Sequence, residues 1–179
     1  MSDHAKPRRV LGQGRYLTLV DDGGWEYATR HSTTGVVVIV AITSDDCLVL
    51  VEQPRPAVRR RVIELPAGLV GDREGHASES LAAAARRELS EETGFEARDM
   101  NAIGEGPIAV GVSDELISFF HADGLVRVGP GGGDDTEDIT VHIVPLAELR
   151  TFLRAQLAAG LYVDPKIYAG LFLAGVNVP

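Results

Sequence analysis

Cysteine, tryptophan and methionine are scarce in this chain: one Cys, one Trp and two Met in 179 residues, with only 6% aromatics. A single cysteine, Cys47, excludes an intramolecular disulfide and any multi-cysteine zinc site. It falls in an apolar stretch, where it is expected to be an inert core residue. The longest apolar run, 35–42, is too short to cross a bilayer. The stretch 1–9 is polar and lacks the apolar core of a signal peptide. Positive charge is also in short supply, with 17 Lys+Arg against 26 Asp+Glu and a formal net charge of −9. That balance disfavours a nonspecific nucleic-acid binder, which needs a basic face. It leaves phosphate-bearing substrates open, because a bound divalent cation reverses the local field. The expectation is a cytoplasmic globular protein with neither nucleic-acid nor membrane partner. A hydrophobic fraction of 45% and a charged fraction of 24% suit a packed core of single-domain size.

Two β-rich runs, 15–20 and 25–30, flank Asp21-Asp22-Gly23-Gly24, a strong hairpin signal. The β-branched run 35–43 predicts a central strand buried on both faces. A strand over 47–52 is stopped by Pro54 and Pro56, and a short extended piece at 62–65 ends at Pro66-Ala67-Gly68. The clearest helix spans 78–93, with Ser78 as N-cap and Gly94 as the residue that ends it. Further strands are expected near 99–105, 116–122 and 139–144, a helix over 146–159, and a last helix after Asp164-Pro165. Between them lies a glycine- and acid-rich loop, 129–138, expected to be mobile. The mixture of strands and helices indicates an α/β or α+β domain with an N-terminal hairpin appended.

The chemistry is concentrated at the end of the first helix. Glu88 and Glu92 are i,i+4 neighbours and Glu91 lies three residues from Glu88, so three carboxylates crowd one turn. This is the wrong end of a helix for negative charge, since the terminal carbonyls are already partly negative. Each unfavourable contribution is a few tenths of a kcal/mol to ~1 kcal/mol. A divalent metal reverses the sign, and an all-oxygen donor set suits Mg²⁺ or Mn²⁺. Arg87 is placed to reach Glu91 one turn on and Glu79 two turns back. A solvated acidic helix end would account for the carboxylates alone equally well.

Taken together, Gly68, Glu79, Arg87, Glu88, Leu89, Glu91, Glu92, Gly94 and Phe95 resemble the Nudix box, Gly-x5-Glu-x7-Arg-Glu-U-x-Glu-Glu-x-Gly-U, with U a bulky apolar residue. From Glu79 onward the match is complete. Before it, ten residues rather than five separate Gly68 from Glu79, lengthening the loop 70–77. Glu74 keeps the glycine spacing but is separated from Arg87 by twelve residues rather than seven; Glu79 is taken as the box glutamate because it shares the helical face of Arg87 and Glu91. The resemblance extends over about residues 15–175 and is greatest to the ADP-ribose pyrophosphatase branch, which includes enzymes acting on nucleotide sugars. It implies an α/β/α sandwich around a mixed sheet, residues 1–34 forming an N-terminal β extension used in dimerisation and 35–179 the hydrolase domain. It also implies a homodimer and Mg²⁺, with Mn²⁺ able to substitute. The loop Gly131-Gly132-Gly133 is reminiscent of members hydrolysing sugar nucleotides such as GDP-mannose or UDP-glucose.

The same resemblance implies roles. The Ala67 carbonyl, Glu88 and Glu92, helped by Glu91, would hold the metal. Arg55, at a strand end, would bind the substrate diphosphate through a planar guanidinium. Trp25 would stack on the base with Arg30 nearby, and Glu115 would lie near metal and phosphate. Glu137 or Asp135 would activate water, with Glu91 as a further catalytic carboxylate. Among Arg59, Arg60 and Arg61, read as a solvated basic turn, at most one is expected to see phosphate. The expected activity is a Mg²⁺-dependent pyrophosphohydrolase cleaving a nucleoside diphosphate sugar to nucleoside monophosphate and sugar phosphate. Two alternatives are a Nudix enzyme for another nucleotide, such as a dinucleoside polyphosphate, and a nucleotide-sugar sensor without hydrolysis.

Overall fold

A computed structural model describes residues 7–31, 33–71, 78–133 and 137–177. Its first three strands, β1 (Arg9–Gln13), β2 (Leu17–Asp22) and β3 (Trp25–Arg30), form an antiparallel sheet of their own in the order β1-β2-β3. The expected hairpin is present, β2 and β3 pairing from Leu17 with Arg30 to Asp22 with Trp25. β1 was not expected. All five of its residues are exposed, so it carries no alternation of polar and apolar positions for a pattern to detect.

The remaining strands form two four-stranded sheets. One has β7 (Ala67–Val70), β4 (Gly35–Ala41), β9 (Leu116–Arg127) and β8 (Phe95–Pro107), in that order; the other has β10 (Thr140–Pro145), β5 (Cys47–Arg55), β6 (Arg60–Glu64) and β11 (Tyr162–Val163). β4 with β9 and β6 with β11 run parallel, and the other pairs are antiparallel. β4 alternates between two cores. Val37, Ile39 and Ala41 face Ala84, Ala85 and Leu89 of α1 (Leu81–Thr93), while Val38 and Val40 face Leu149 and Leu153 of α2 (Leu149–Ala158) and Ile167 and Leu171 of α3 (Lys166–Leu173). Burial on both faces is what its unbroken β-branched run predicts. The result is an α/β/α sandwich around two mixed sheets, where one was expected, with the N-terminal sheet appended. No helix among the described residues is long and apolar enough to cross a membrane.

Several boundaries differ from expectation for physical reasons. The cap of α1 is Ser80, not Ser78: its hydroxyl accepts from the Ala83 amide at 3.2 Å. Glu79 therefore stays outside the helix, where its side chain can turn back onto Arg87. β5 continues through Pro54, because its last pair with β10, Glu52 with Thr140, lies before the proline and no ladder bond to β10 is lost there. The helix expected over 146–159 opens with a 3₁₀ turn, Leu146–Glu148. Cys47 is half-buried at the start of β5, its thiol facing the Asp45 carbonyl at 3.5 Å, rather than in the core.

Candidate functional site

The last two turns of α1 are organised by Arg87, whose side chain is 12% exposed. Its Nε and Nη2 grip the two oxygens of Glu79 at 3.2 and 3.1 Å, Nη1 reaches Glu88 at 2.6 Å and Glu91 at 3.3 Å, and Nη2 also donates to the Leu69 carbonyl at 3.1 Å. One guanidinium fork thus fixes three carboxylates and ties them to β7. Burial works against its charge, but the bonds to Glu79 and Glu88 outweigh it and hold its pKa above the usual arginine value. These contacts agree with Glu79 as the box glutamate; Glu74 lies outside the described residues.

Gly68 makes room for this turn. A Cβ placed there would fall 2.0 Å from Cδ of Glu88 and 2.1 Å from its Oε1, so the Glu88 carboxylate occupies the space any other residue would fill. The neighbouring amide, that of Ala67, donates to Oε2 of Glu92 at 3.0 Å. Glu92 is 3% exposed. Burial, and then the charges of Glu88 and Glu137, raise its pKa well above the usual carboxylate range, with the Ala67 amide and Arg55 pulling the other way.

The helix end is closed from outside by the glycine loop. The amides of Gly132 and Gly133 donate to the carbonyls of Glu92 and Glu91 at 2.8 and 3.0 Å, and the Val128 amide to that of Gly94 at 2.8 Å. These donors satisfy carbonyls that a helix terminus leaves unpaired and offset part of its negative end. Gly131, at φ 70°, lies so close that a Cβ would stand 2.4 Å from the Thr93 carbonyl carbon. Residues 129–133 are bonded to the end of α1 through these amides. Glu137 folds back on the loop, with Oε2 2.2 Å from where a Cβ on Gly133 would stand, and it is near enough to act on Glu92. Asp135 lies outside the described residues.

Ala67 and Gly68 also line a cleft of about 280 Å³, together with Arg30, Arg55, Glu64, Glu115 and Lys166. Arg55, the last residue of β5, donates from Nε to Glu64 Oε2 at 2.9 Å and from Nη2 to the same oxygen at 2.6 Å. Arg30 donates to Glu115 at 2.8 Å. Sequence reasoning missed Glu64 and Lys166 as cleft residues; Lys166 pairs with Asp164 at the start of α3. No local spacing joins Glu64 to Arg55, which meet only through the β5–β6 pairing. Trp25 does not line the cleft, and stands 62% exposed at the tip of β3. The Arg59–Arg61 turn does not line it either: Arg60 donates to the Gly160 carbonyl at 2.6 Å, and Arg61 pairs with Glu52 and Asp138.

The donors expected for a metal are the Ala67 carbonyl, Glu88, Glu91 and Glu92. Among the described residues no three His, Cys, Asp or Glu side chains converge as a closed metal site; Glu88 and Glu91 are held by Arg87 and Glu92 by the Ala67 amide. Their chemistry nevertheless fits a hard divalent cation, being all oxygen. Glu92, with its carboxyl raised by burial and by two neighbouring carboxylates, is the kind of group a cation would ionise.

Comparison with known proteins agrees with this architecture. The NUDIX domain model matches residues 31–163. The chain is 34% identical to a methanol dehydrogenase activator of Bacillus methanolicus over 65% of its length and 59% of the relative's. It is 34% identical to an ADP-ribose pyrophosphatase of Mycobacterium tuberculosis, covering 72% of this chain and 61% of the relative. An ADP-sugar pyrophosphatase of Mus musculus is 36% identical, with coverages of 74% and 62%. The chain thus spans about three fifths of the length of these relatives. A crystal structure of an ADP compounds hydrolase superposes with a TM-score of 0.71 at 24% identity, covering 95% of this chain and 90% of the other, and so shares the fold. By its box residues, its sandwich and these matches, the chain belongs to the Nudix family.

Proposed function

We propose that the chain is a Mg²⁺-dependent hydrolase of nucleoside diphosphate sugars, ADP-ribose or a similar compound, releasing nucleoside monophosphate and sugar phosphate. The observation that carries this reading is that cleft and carboxylate turn share a wall. Ala67 and Gly68 line the cleft, and Glu92 and Glu88 press on these two residues from the helix side. In this reading Glu88 and Glu92, with Glu91 and the Ala67 carbonyl, would hold the metal. Bound Mg²⁺, or Mn²⁺ in its place, would neutralise the diphosphate oxygens and acidify a coordinated water.

The chain's own groups do the rest. Arg55 presents its fork to the diphosphate while Glu64 fixes its orientation. Arg30 is held for the substrate by Glu115. Glu137, beside Glu92, accepts the proton of the attacking water, a contribution of about 10²–10⁴ in rate; Asp135 is the alternative base. Trp25 meets the nucleobase from the N-terminal sheet, and residues 1–34 pair two copies of the chain into a homodimer around 35–179. The direct test is a panel of ADP-ribose, GDP-mannose and UDP-glucose, with and without Mg²⁺, with products identified. The expected result is nucleoside monophosphate and sugar phosphate, abolished by chelation. Tight binding without turnover would favour a sensor, and turnover of dinucleoside polyphosphates alone would favour the other nucleotide class.

A further inference from the structure

Arg61 belongs to the basic turn that the cleft does not use, yet its guanidinium spans the end of a sheet. Nε donates to Glu52 Oε1 at 2.5 Å, Nη1 to Asp138 Oδ2 at 2.6 Å, and Nη2 to the backbone carbonyls of both Glu52 and Asp138 at 3.2 Å. The register explains why a side chain is needed here. The β10–β5 ladder ends at Thr140 with Glu52, and continuing it would set Asp138 opposite Pro54, which itself pairs with Arg61 across β5 and β6. Proline has no N–H to offer, so β5 has no amide at Pro54 for the approaching strand. The Arg61 guanidinium reaches across instead and takes the Asp138 carbonyl. Glu52, its partner on β5, is fixed in turn by His142 Nε2 at 2.9 Å.

We propose that Arg61 is a positioning residue for Glu137: by clamping Asp138 to the end of β5, it sets where the preceding carboxylate lies. Glu137 then sits between two fastenings, Arg61 on one side and the Gly132 and Gly133 amides bonded to α1 on the other. The inference rests on Glu137 being the base. It requires a planar fork, since a lysine offers one charged centre and cannot span two carbonyls and two carboxylates.

The test compares Arg61→Met, Arg61→Lys, Glu137→Gln and Arg61→Met/Glu137→Gln in the full chain, with kinetics and amide exchange measured on each. Arg61→Met is expected to lower kcat by about tenfold or more with KM within about threefold, the pattern of a lost transition-state group. Arg61→Lys should recover little of it. The double variant should be no slower than Glu137→Gln, because the group being positioned is already gone. Amides of 137–142 should exchange about tenfold faster in Arg61→Met, with those of α1 unchanged. Should Arg61→Met fail to fold, Asp138→Ala removes the Nη1 contact from its exposed side and should give a smaller change of the same kind in both readouts. Unchanged exchange in the folded variant overturns the clamp, and losses that multiply in the double variant overturn the link to Glu137. Near wild-type kcat in Glu137→Gln overturns instead the base assignment beneath the inference, while exchange still reads the clamp.

Discussion

The carboxylate turn of α1 and the cleft that meets it at Ala67 and Gly68 are built on opposite plans. In the turn the charges are shielded and mutually held: Arg87 and Glu88 are each 12% exposed and Glu79 7%, all joined in one network. In the cleft, Arg30 and Glu115 form one pair with side chains 33% and 23% exposed. The N-terminal sheet leans there on the turn before Glu115 through a backbone bond, Ala28 amide to Val112 carbonyl at 2.9 Å. The first has the preorganisation that stabilising developing charge requires. The second is held loosely enough to meet a substrate without fixing its geometry. Substitutions at the first should therefore act on kcat, and those at the second on KM.

The largest test of this contrast is Glu92→Gln. Turnover should fall by about 10² or more, the scale of losing one preorganised electrostatic group, and near-normal turnover at saturating Mg²⁺ would remove α1 from the mechanism. The same substitution should act oppositely on stability without metal. Burial, and then Glu88 and Glu137, raise the folded-state pKa of Glu92. Its contribution to stability is therefore full below the unfolded carboxylate value and is lost as pH rises through the folded one. Melted in EDTA, Glu92→Gln should gain on wild type as pH rises above the ordinary carboxylate range. A constant gap would mean that the carboxylate is not penalised by its surroundings.

Gly68→Ala comes next. The new Cβ would fall 2.0 Å from the Glu88 carboxyl carbon, so Glu88 must leave its place beside Arg87. The expected cost is about 1–3 kcal/mol, typical of overpacking, with kcat down by roughly tenfold. Denaturant titration and steady-state kinetics on the same preparation measure both, and an active, stable Gly68→Ala would show that Glu88 need not lie on Gly68. In the looser cleft, Arg30→Ala and Glu115→Gln should raise KM by about tenfold and leave kcat within about threefold. Their stability cost should be only ~0–1 kcal/mol, as for partly exposed ion pairs. A fall in kcat as large as that of Glu92→Gln would erase the distinction between turn and cleft.

The same contrast explains what could be read from the sequence. Arg87, Glu88, Glu91 and Glu92 are joined by helical spacing, and Glu79 lies just before the same helix, so the cluster is a local property and was legible. β4 was legible too, since burial on both faces leaves an unbroken apolar run. Ser80 displaced Ser78 as cap because both suit the position, and the choice is made by where Glu79 must go. β1 was invisible because none of its residues is buried, and β11, two residues long, carries no pattern. Glu64 meets Arg55, and Arg61 meets Asp138, only through sheet register, and nothing within either segment records it. Long-range pairing is the information that one sequence holds least explicitly, and the Arg55–Glu64 pair of the cleft depends on it.

The smallest effect is expected at Trp25, where two roles can be separated. Its side chain is 62% exposed, paired across the hairpin with Asp22, so truncation removes little buried area from a single chain. Trp25→Ala should leave the melting temperature of dilute protein within about 2 °C, since substitutions away from buried features cost less than ~0.5 kcal/mol. If the ring stacks on the nucleobase, KM should rise by about fivefold to tenfold at every protein concentration, equivalent to ~1 kcal/mol of lost aromatic contact. If it lies instead between two copies of the chain, KM should be unchanged at high protein concentration, and activity should fall on dilution together with the sedimentation coefficient. A variant with wild-type KM and concentration-independent behaviour would leave Trp25 with neither role. Arg30 would then be the farthest point to which the cleft reaches into the N-terminal sheet.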